Sequence, residues 1–116
     1  MAFRFSKNAT FQWPVVLMVP SAKGSGKYDK QTFEAEFKYL SQERIDEIIK
    51  SARAEEINDN QVLDEVLAGW KGVQDDDGSE LDFSPSNLEL VLQIPGMRSA
   101  IVSAFFESLA GARRKN

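Results

Sequence analysis

Three groups of residues in this chain have types and spacings that suggest chemistry. Gly24-Ser25-Gly26-Lys27 follows an apolar stretch and looks like a piece of a phosphate-binding loop. Such a loop needs a glycine five residues before its second glycine and a Ser or Thr after the lysine, the latter to bind magnesium. Ser21 and Tyr28 stand in those places, and the residues that follow alternate like a strand. No helix N-terminus is therefore available to hold phosphates, and a plain hairpin loop is expected.

Asp75-Asp76-Asp77-Gly78 resembles part of a calcium loop. Aligning Gly78 with that loop's invariant glycine puts Val73 at the first ligand position and Ser84 where a bidentate glutamate belongs. Two of the strongest ligands are missing, so the segment reads as an acidic turn. The third group is the carboxylates at large. With 18 Asp and Glu in the chain, close pairs arise by chance, and none sits in an apolar run that would raise its pKa as an acid catalyst requires.

The chain has no Cys and no His. That removes disulfides, thiolate nucleophiles and thiolate metal sites, along with the usual general base near neutral pH and the usual zinc ligand. The expectation is a protein that is not an enzyme, with no catalytic residue, no cofactor and no metal. At 116 residues, 42% hydrophobic and 28% charged, the composition is that of one globular domain.

Charge is unevenly spread. Residues 41–90 hold 14 acidic and 4 basic side chains, a net of −10, while the remainder carries +6, giving the overall −4. An acidic centre with basic ends argues against nucleic-acid binding, which gathers Lys and Arg on one face. It permits self-association, the ends of one copy against the centre of another. No membrane contact is expected, because the longest apolar run, residues 15–19, is far below the ~20 residues of a span. MAFRFSKNATF at the start lacks the continuous apolar segment of a secretory signal.

The elements around these residues divide into strands, then helices. In residues 11–19 the odd positions Phe11, Trp13, Val15, Leu17 and Val19 share one face, and Pro14, which has no backbone donor, predicts an edge strand or a bulge. Residues 32–39 alternate with Phe33, Ala35, Phe37 and Tyr39 inward. Residues 20–30, rich in Gly, Ser and Lys, connect the two, which gives an antiparallel hairpin or small sheet in residues 1–40.

Residues 41–112 read as about four helices. Ser41 caps the first, with Leu40 stapled onto Ile45 and the stripe Ile45, Ile48, Ile49 and Ala52 behind it. Asn58 and Gln61 form the second cap, ahead of Val62, Leu63, Val66, Leu67 and Trp70 as a buried face. Phe83-Ser84-Pro85 starts a short third helix, which Ile94-Pro95-Gly96 interrupts. The last runs from about Met97 to Ala110, and residues 113–116 read as a basic tail. Its apolar arc is unusually wide. Met97, Ile101, Ala104, Phe105 and Ser108 lie on one stripe, and Val102, Phe106 and Leu109 on its neighbour. A wide arc serves either a buried helix or one that offers a ridge to a partner. The fold class expected is α+β in a single domain.

Several blocks, taken together, are familiar. Ala9-Thr10-Phe11-Gln12-Trp13-Pro14-Val15 precedes Thr32-Phe33-Glu34-Ala35-Glu36-Phe37-Lys38; then come Gly69-Trp70-Lys71-Gly72-Val73, the acidic turn, Phe83-Ser84-Pro85-Ser86-Asn87-Leu88 and Phe105-Phe106-Glu107-Ser108-Leu109. In this order and spacing they resemble the tail assembly chaperones of long-tailed bacteriophages and prophages, over nearly the whole chain. Ser86 stands where that family would carry an acidic residue.

The resemblance implies a non-enzymatic protein of the host bacterial cytoplasm. Such a chaperone coats the helical, aggregation-prone tape measure protein, helps recruit tail-tube protein around it, and is absent from the mature virion. The alternative is a structural tail subunit or small adaptor that stays in the assembly. Partner contact is expected at Val102, Phe105, Phe106 and Leu109, with the strand edge near Trp13 as the second choice.

Overall fold

The computed structural model describes residues 9–114. The chain runs β1 (Thr10–Pro20), β2 (Tyr28–Lys38), α1 (Gln42–Arg53), α2 (Asp59–Val66), β3 (Leu67–Lys71), α3 (Pro85–Leu92) and α4 (Met97–Arg114). The three strands form one antiparallel sheet in the order β1-β2-β3, with the helices packed on one face. The architecture is the expected single-domain α+β fold.

β1 and β2 pair along their full lengths, from Thr10↔Lys38 to Pro20↔Tyr28. The backbone bonds at the two ends fix which residues face the neighbouring strand. Tyr39 N donates to Ala9 O at 3.2 Å, and Ser21 N donates to Lys27 O at 2.8 Å. Odd-numbered residues of β1 therefore bond to β2, and even-numbered residues turn their backbone groups to the free edge. Pro14 and Pro20 are both even. Each lacks its donor on the side where no strand is present to need it, which is why a central-looking strand tolerates them.

The odd side chains of β1 face the helices, as the alternation predicts. Val15 and Leu17 are buried, and Phe11, Trp13 and Val19 are half-buried against the core. Phe33, Ala35 and Phe37 continue that face on β2. Tyr39 departs from the expectation. It keeps to the face of Phe11, against which its ring lies tilted with centres 4.9 Å apart, but past the end of β2 at Lys38 it is 59% exposed and not buried.

The larger difference is at residues 67–71. The apolar spacing predicts that the helix capped by Asn58 continues through Trp70, but α2 stops at Val66 and the chain turns straight into β3. So a strand lies inside the stretch expected to be wholly helical. Leu67 and Trp70 are buried as expected, but from a sheet. Two physical reasons stand out. β2 has a second edge that needs a partner, and Gly69 is a poor helix residue that suits this particular pairing. Gly69 sits opposite Glu36, whose carboxylate oxygen would lie 2.8 Å from any Cβ placed there. Ala68 is the extra residue of a bulge, which restores Leu67 opposite Phe37. Trp70, Ala35 and Trp13 then form one row across the sheet, the small alanine seated between two indoles.

The caps are those expected. Ser41, Asn58 and Ser84 accept from the backbone N–H of Arg44, Gln61 and Asn87, and Gln61 Oε1 completes a capping box by accepting from Asn58 N at 2.9 Å. α3 and α4 meet at 102° across the Pro95-Gly96 break. No single described helix is long and apolar enough to cross a membrane. α4 continues to Arg114, past the expected end at Ala110 and through the start of the expected basic tail; Lys115 and Asn116 lie outside the described residues. Its wide apolar arc is explained by its neighbours, since it packs against β1, α2 and α3 at once. Both stripes are used, with Met97, Ile101, Val102, Ala104, Phe105 and Ser108 all buried.

Candidate functional site

The motifs that suggested small-molecule chemistry have structural roles. Gly24-Ser25-Gly26-Lys27 is the turn of the β1–β2 hairpin, followed by a strand and no helix. In the acidic turn, Asp75 Oδ1 accepts from Asp77 N at 2.9 Å and Ser79 N at 3.1 Å, which occupies the carboxylate with backbone donors. Among the described residues, no three Asp or Glu are grouped to hold a metal ion.

What the fold does present is an apolar groove. It opens where β1 begins and β2 ends, between the sheet, the start of α1 and the second half of α4, with a volume of about 430 Å³. Phe11 and Trp13 line it from the core face of β1, Leu40 and Ile45 from around the α1 cap, and Phe105 and Leu109 from α4. Local sequence dictates each wall. The strand alternation turns Phe11 and Trp13 to the core face of the edge strand β1, and the α1 cap turns Leu40 and Ile45 toward the same space.

Aromatic rings tie this groove to the core. Tyr39 stacks on Phe11, Phe11 lies 5.8 Å from Phe37, Phe37 meets Phe105 edge-on at 5.4 Å, and Phe105 meets Phe106 at 5.7 Å. The groove therefore has a floor of buried, packed rings and a more exposed rim at Tyr39. α1, its outer wall, contributes one fully buried residue, Ile48. It is also held to α2 by a two-pronged ion pair, Arg44 Nε and Nη2 donating to the Glu65 carboxylate at 2.5 and 2.6 Å. That hydrogen-bonded guanidinium holds the Glu65 carboxyl below its ordinary value, with a smaller contribution from Lys38.

Polar groups in the groove are few. Ser108 is buried, and its hydroxyl donates to Phe105 O within its own helix at 2.6 Å. Lys38 is the one charged residue in the lining. Trp13 Nε1 is shielded from solvent and has no acceptor among the described residues, whereas Trp70 Nε1 donates to Leu81 O at 2.7 Å.

The residues expected to meet a partner separate on this map. Trp13, Phe105 and Leu109 come together in the groove. Phe105 is only 1% exposed and forms its floor, and Val102, at 7%, lies in the core away from it. Phe106 is half-buried beside Phe105 but outside the lining. Sequence reasoning missed Phe11, Leu40 and Ile45 as part of the same surface, although it had placed Phe11 on the inward strand face and Leu40 against Ile45 at the α1 cap. The free edge of β1 is a poor second surface, because Pro14 and Pro20 remove two of its outward donors.

With the groove on the page, comparison with known proteins adds one finding. Residues 23–112, more than three quarters of the chain, match the sequence profile of a family described as YdaY prophage protein. The chain belongs to the YdaY prophage protein family. The match spans the hairpin turn, β2, α1, α2, β3, α3 and all but the last two residues of α4; Phe105 and Leu109 of this YdaY-family protein's groove fall inside it, whereas Trp13 precedes it. Comparison with curated proteins and with solved structures gave no match.

Proposed function

We propose that this prophage protein is a non-enzymatic tail assembly chaperone. It binds the tape measure protein through the groove lined by Trp13, Phe105 and Leu109 and keeps it soluble in the host cytoplasm. It then helps bring in tail-tube subunits and is absent from the mature particle. The observation that carries this reading is the groove itself: an open surface lined mostly by apolar side chains, with Lys38 its one charged residue, of a kind that can seat the apolar side chains of a partner segment. The block order resembling tail assembly chaperones supports it, as does membership of a prophage family.

The test is co-expression with the tape measure protein of the same gene cluster, scoring soluble yield and co-purification. The intact chain should raise both. Leu109→Asp, which puts a charge on the groove wall, should abolish both while circular dichroism shows the variant folded. A tape measure protein that stays insoluble with the intact chain refutes the chaperone reading. So does this protein persisting in purified particles, which is the behaviour of a structural subunit.

A further inference from the structure

We propose that β1 pairs edge to edge with β1 of a second copy, antiparallel and centred on Leu17, so that two chains share one continuous sheet. The inference goes beyond the proposed function and does not depend on it.

The edge strand is complementary to itself. From Pro14 to Pro20 it reads Pro-Val-Val-Leu-Met-Val-Pro, with Leu17 at the midpoint. Reversed, each position meets its own kind: proline with proline, Val15 with Val19, Val16 with Met18. A two-fold axis through Leu17 therefore joins the same patch of both copies, as an isologous interface requires.

The prolines choose this register. Even residues of β1 turn their backbone groups to the free edge, so Val16 and Met18 each offer a donor and an acceptor there, while Pro14 and Pro20 offer an acceptor alone. Those losses make the edge a poor surface for an arbitrary strand. Centred on Leu17, however, Val16 and Met18 exchange both bonds with Met18 and Val16 of the second copy, and the prolines face each other just outside the ladder. Moving the axis to Val16 or Met18 sets a proline against one of these residues, which removes bonds and crowds its ring against a carbonyl.

Side chains and charge agree with the pairing. Val16 and Met18 stand 45% and 55% exposed on the sheet face away from the helices, and pairing gathers them from both copies into one apolar patch. The Pro14 end is acidic, with Glu34 paired to it on β2 and Glu107 beside it on α4. The Pro20 end leads into the turn that holds Lys23 and Lys27. Antiparallel pairing brings the acidic end of each copy to the basic end of the other.

The helices leave room. Gly96 faces Leu17, whose Cδ1 would lie 3.6 Å from a side-chain carbon there, and α4 runs from this point back toward Phe11 and Trp13. The α4 of the second copy runs the opposite way from the same axis. Only the small residues Gly96, Ser99 and Ala100 approach the seam, where they line an open groove of about 360 Å³ beside the edge. The two apolar grooves then open on one side of the shared sheet, their Trp13 residues about eight strand positions or 26 Å apart. One long partner segment can engage both.

The test uses the intact chain, which has no cysteine, so introduced thiols report the register without background. In this register Val16 and Met18 of opposite copies have Cα atoms about 5.5 Å apart, within disulfide reach, whereas like positions lie beyond about 7 Å. A mixture of Val16→Cys and Met18→Cys should oxidise to the mixed disulfide, and either variant alone should not cross-link. The unmodified chain should sediment as a dimer. Val16→Lys sets a charge in one row with Lys30 of the second copy, and should weaken association about tenfold with the circular dichroism unchanged.

A chain that sediments as a monomer overturns the proposal. So does cross-linking of either variant alone as readily as the mixture, which places the axis elsewhere. A dimer indifferent to Val16→Lys overturns it too, since another surface then holds the copies together. Tape-measure rescue by a monomeric chain sinks the dimer alone, and a dimer without rescue sinks the chaperone reading alone.

Discussion

Phe105→Ala tests whether the groove floor and the core are one structure. Phe105 is 1% exposed, meets Phe37 edge-on at 5.4 Å and packs on Phe106 at 5.7 Å. Truncating a phenylalanine so placed costs about 3–5 kcal/mol, of which the lost ring pairs account for roughly 0.5–1.5. Stability for a chain of this size is on the order of 6–17 kcal/mol, so the variant should fold but with a large part of its margin gone. With a urea slope of about 1.5 kcal/mol/M, a loss near 4 kcal/mol lowers the unfolding midpoint by roughly 2.5 M. Phe106→Ala is the internal control. Its ring is half-buried and lies on the outer side of Phe105, so it should lower the midpoint by about half as much. Urea titrations followed by far-ultraviolet circular dichroism measure both. A Phe105→Ala shift below about 1 M, or a larger loss for Phe106→Ala, would show that the ring chain from Tyr39 to Phe106 does not organise the core as described.

Two further predictions concern the frame around the groove. Glu65 titrates below its ordinary value because Arg44 hydrogen-bonds its carboxylate, so its contribution is complete above the unfolded pKa and is lost as pH falls through the folded one. The intact chain should therefore lose thermal stability more steeply than Glu65→Gln between about pH 5 and pH 3; parallel melting curves over that range would contradict the pairing. Asn58→Ala removes the side-chain arm of the capping box on an eight-residue helix, leaving only the Asn58 backbone N–H to Gln61 Oε1, and should cost about 1 kcal/mol, lowering the melting temperature by about 4 °C, with no change at all counting against the cap.

The parts legible from sequence are those fixed by neighbours along the chain. Strand alternation placed Phe11, Trp13, Val15 and Leu17 on the right face, and Pro14 marked an edge strand. The cap residues Ser41, Asn58 and Ser84 each started a helix where expected. What sequence could not show depends on contacts made from afar. Leu67 and Trp70 fit a helical stripe continuing from Val66, and only the unpaired edge of β2 makes them a strand. The width of the α4 arc was visible, but its cause was not, because three separate neighbours use it. For the same reason Val102 and Phe105 look like surface candidates in sequence and are buried in the fold. The groove as a whole has no local signature: each wall is legible by itself, but that β1, the α1 cap and α4 converge on one space is not.

The size of the groove bears on how such a protein would work. About 430 Å³ holds a few apolar side chains, a fraction of what a standard protein interface buries. Association also carries a fixed cost in lost rotational and translational freedom, so a contact this small is weak taken singly. Weakness suits the proposed role. A coat on a long partner gains its hold from many copies, and a later subunit can displace the copies one at a time without overcoming a single deep minimum. The uneven charge of the chain gives those copies a further means of attraction, the basic ends of one toward the acidic centre of the next, which salt would weaken and the groove would not. On this reading affinity belongs to the array and selectivity to the groove, so exchanging the groove-wall residue Leu109 should change which segments are covered more than how firmly the whole coat holds.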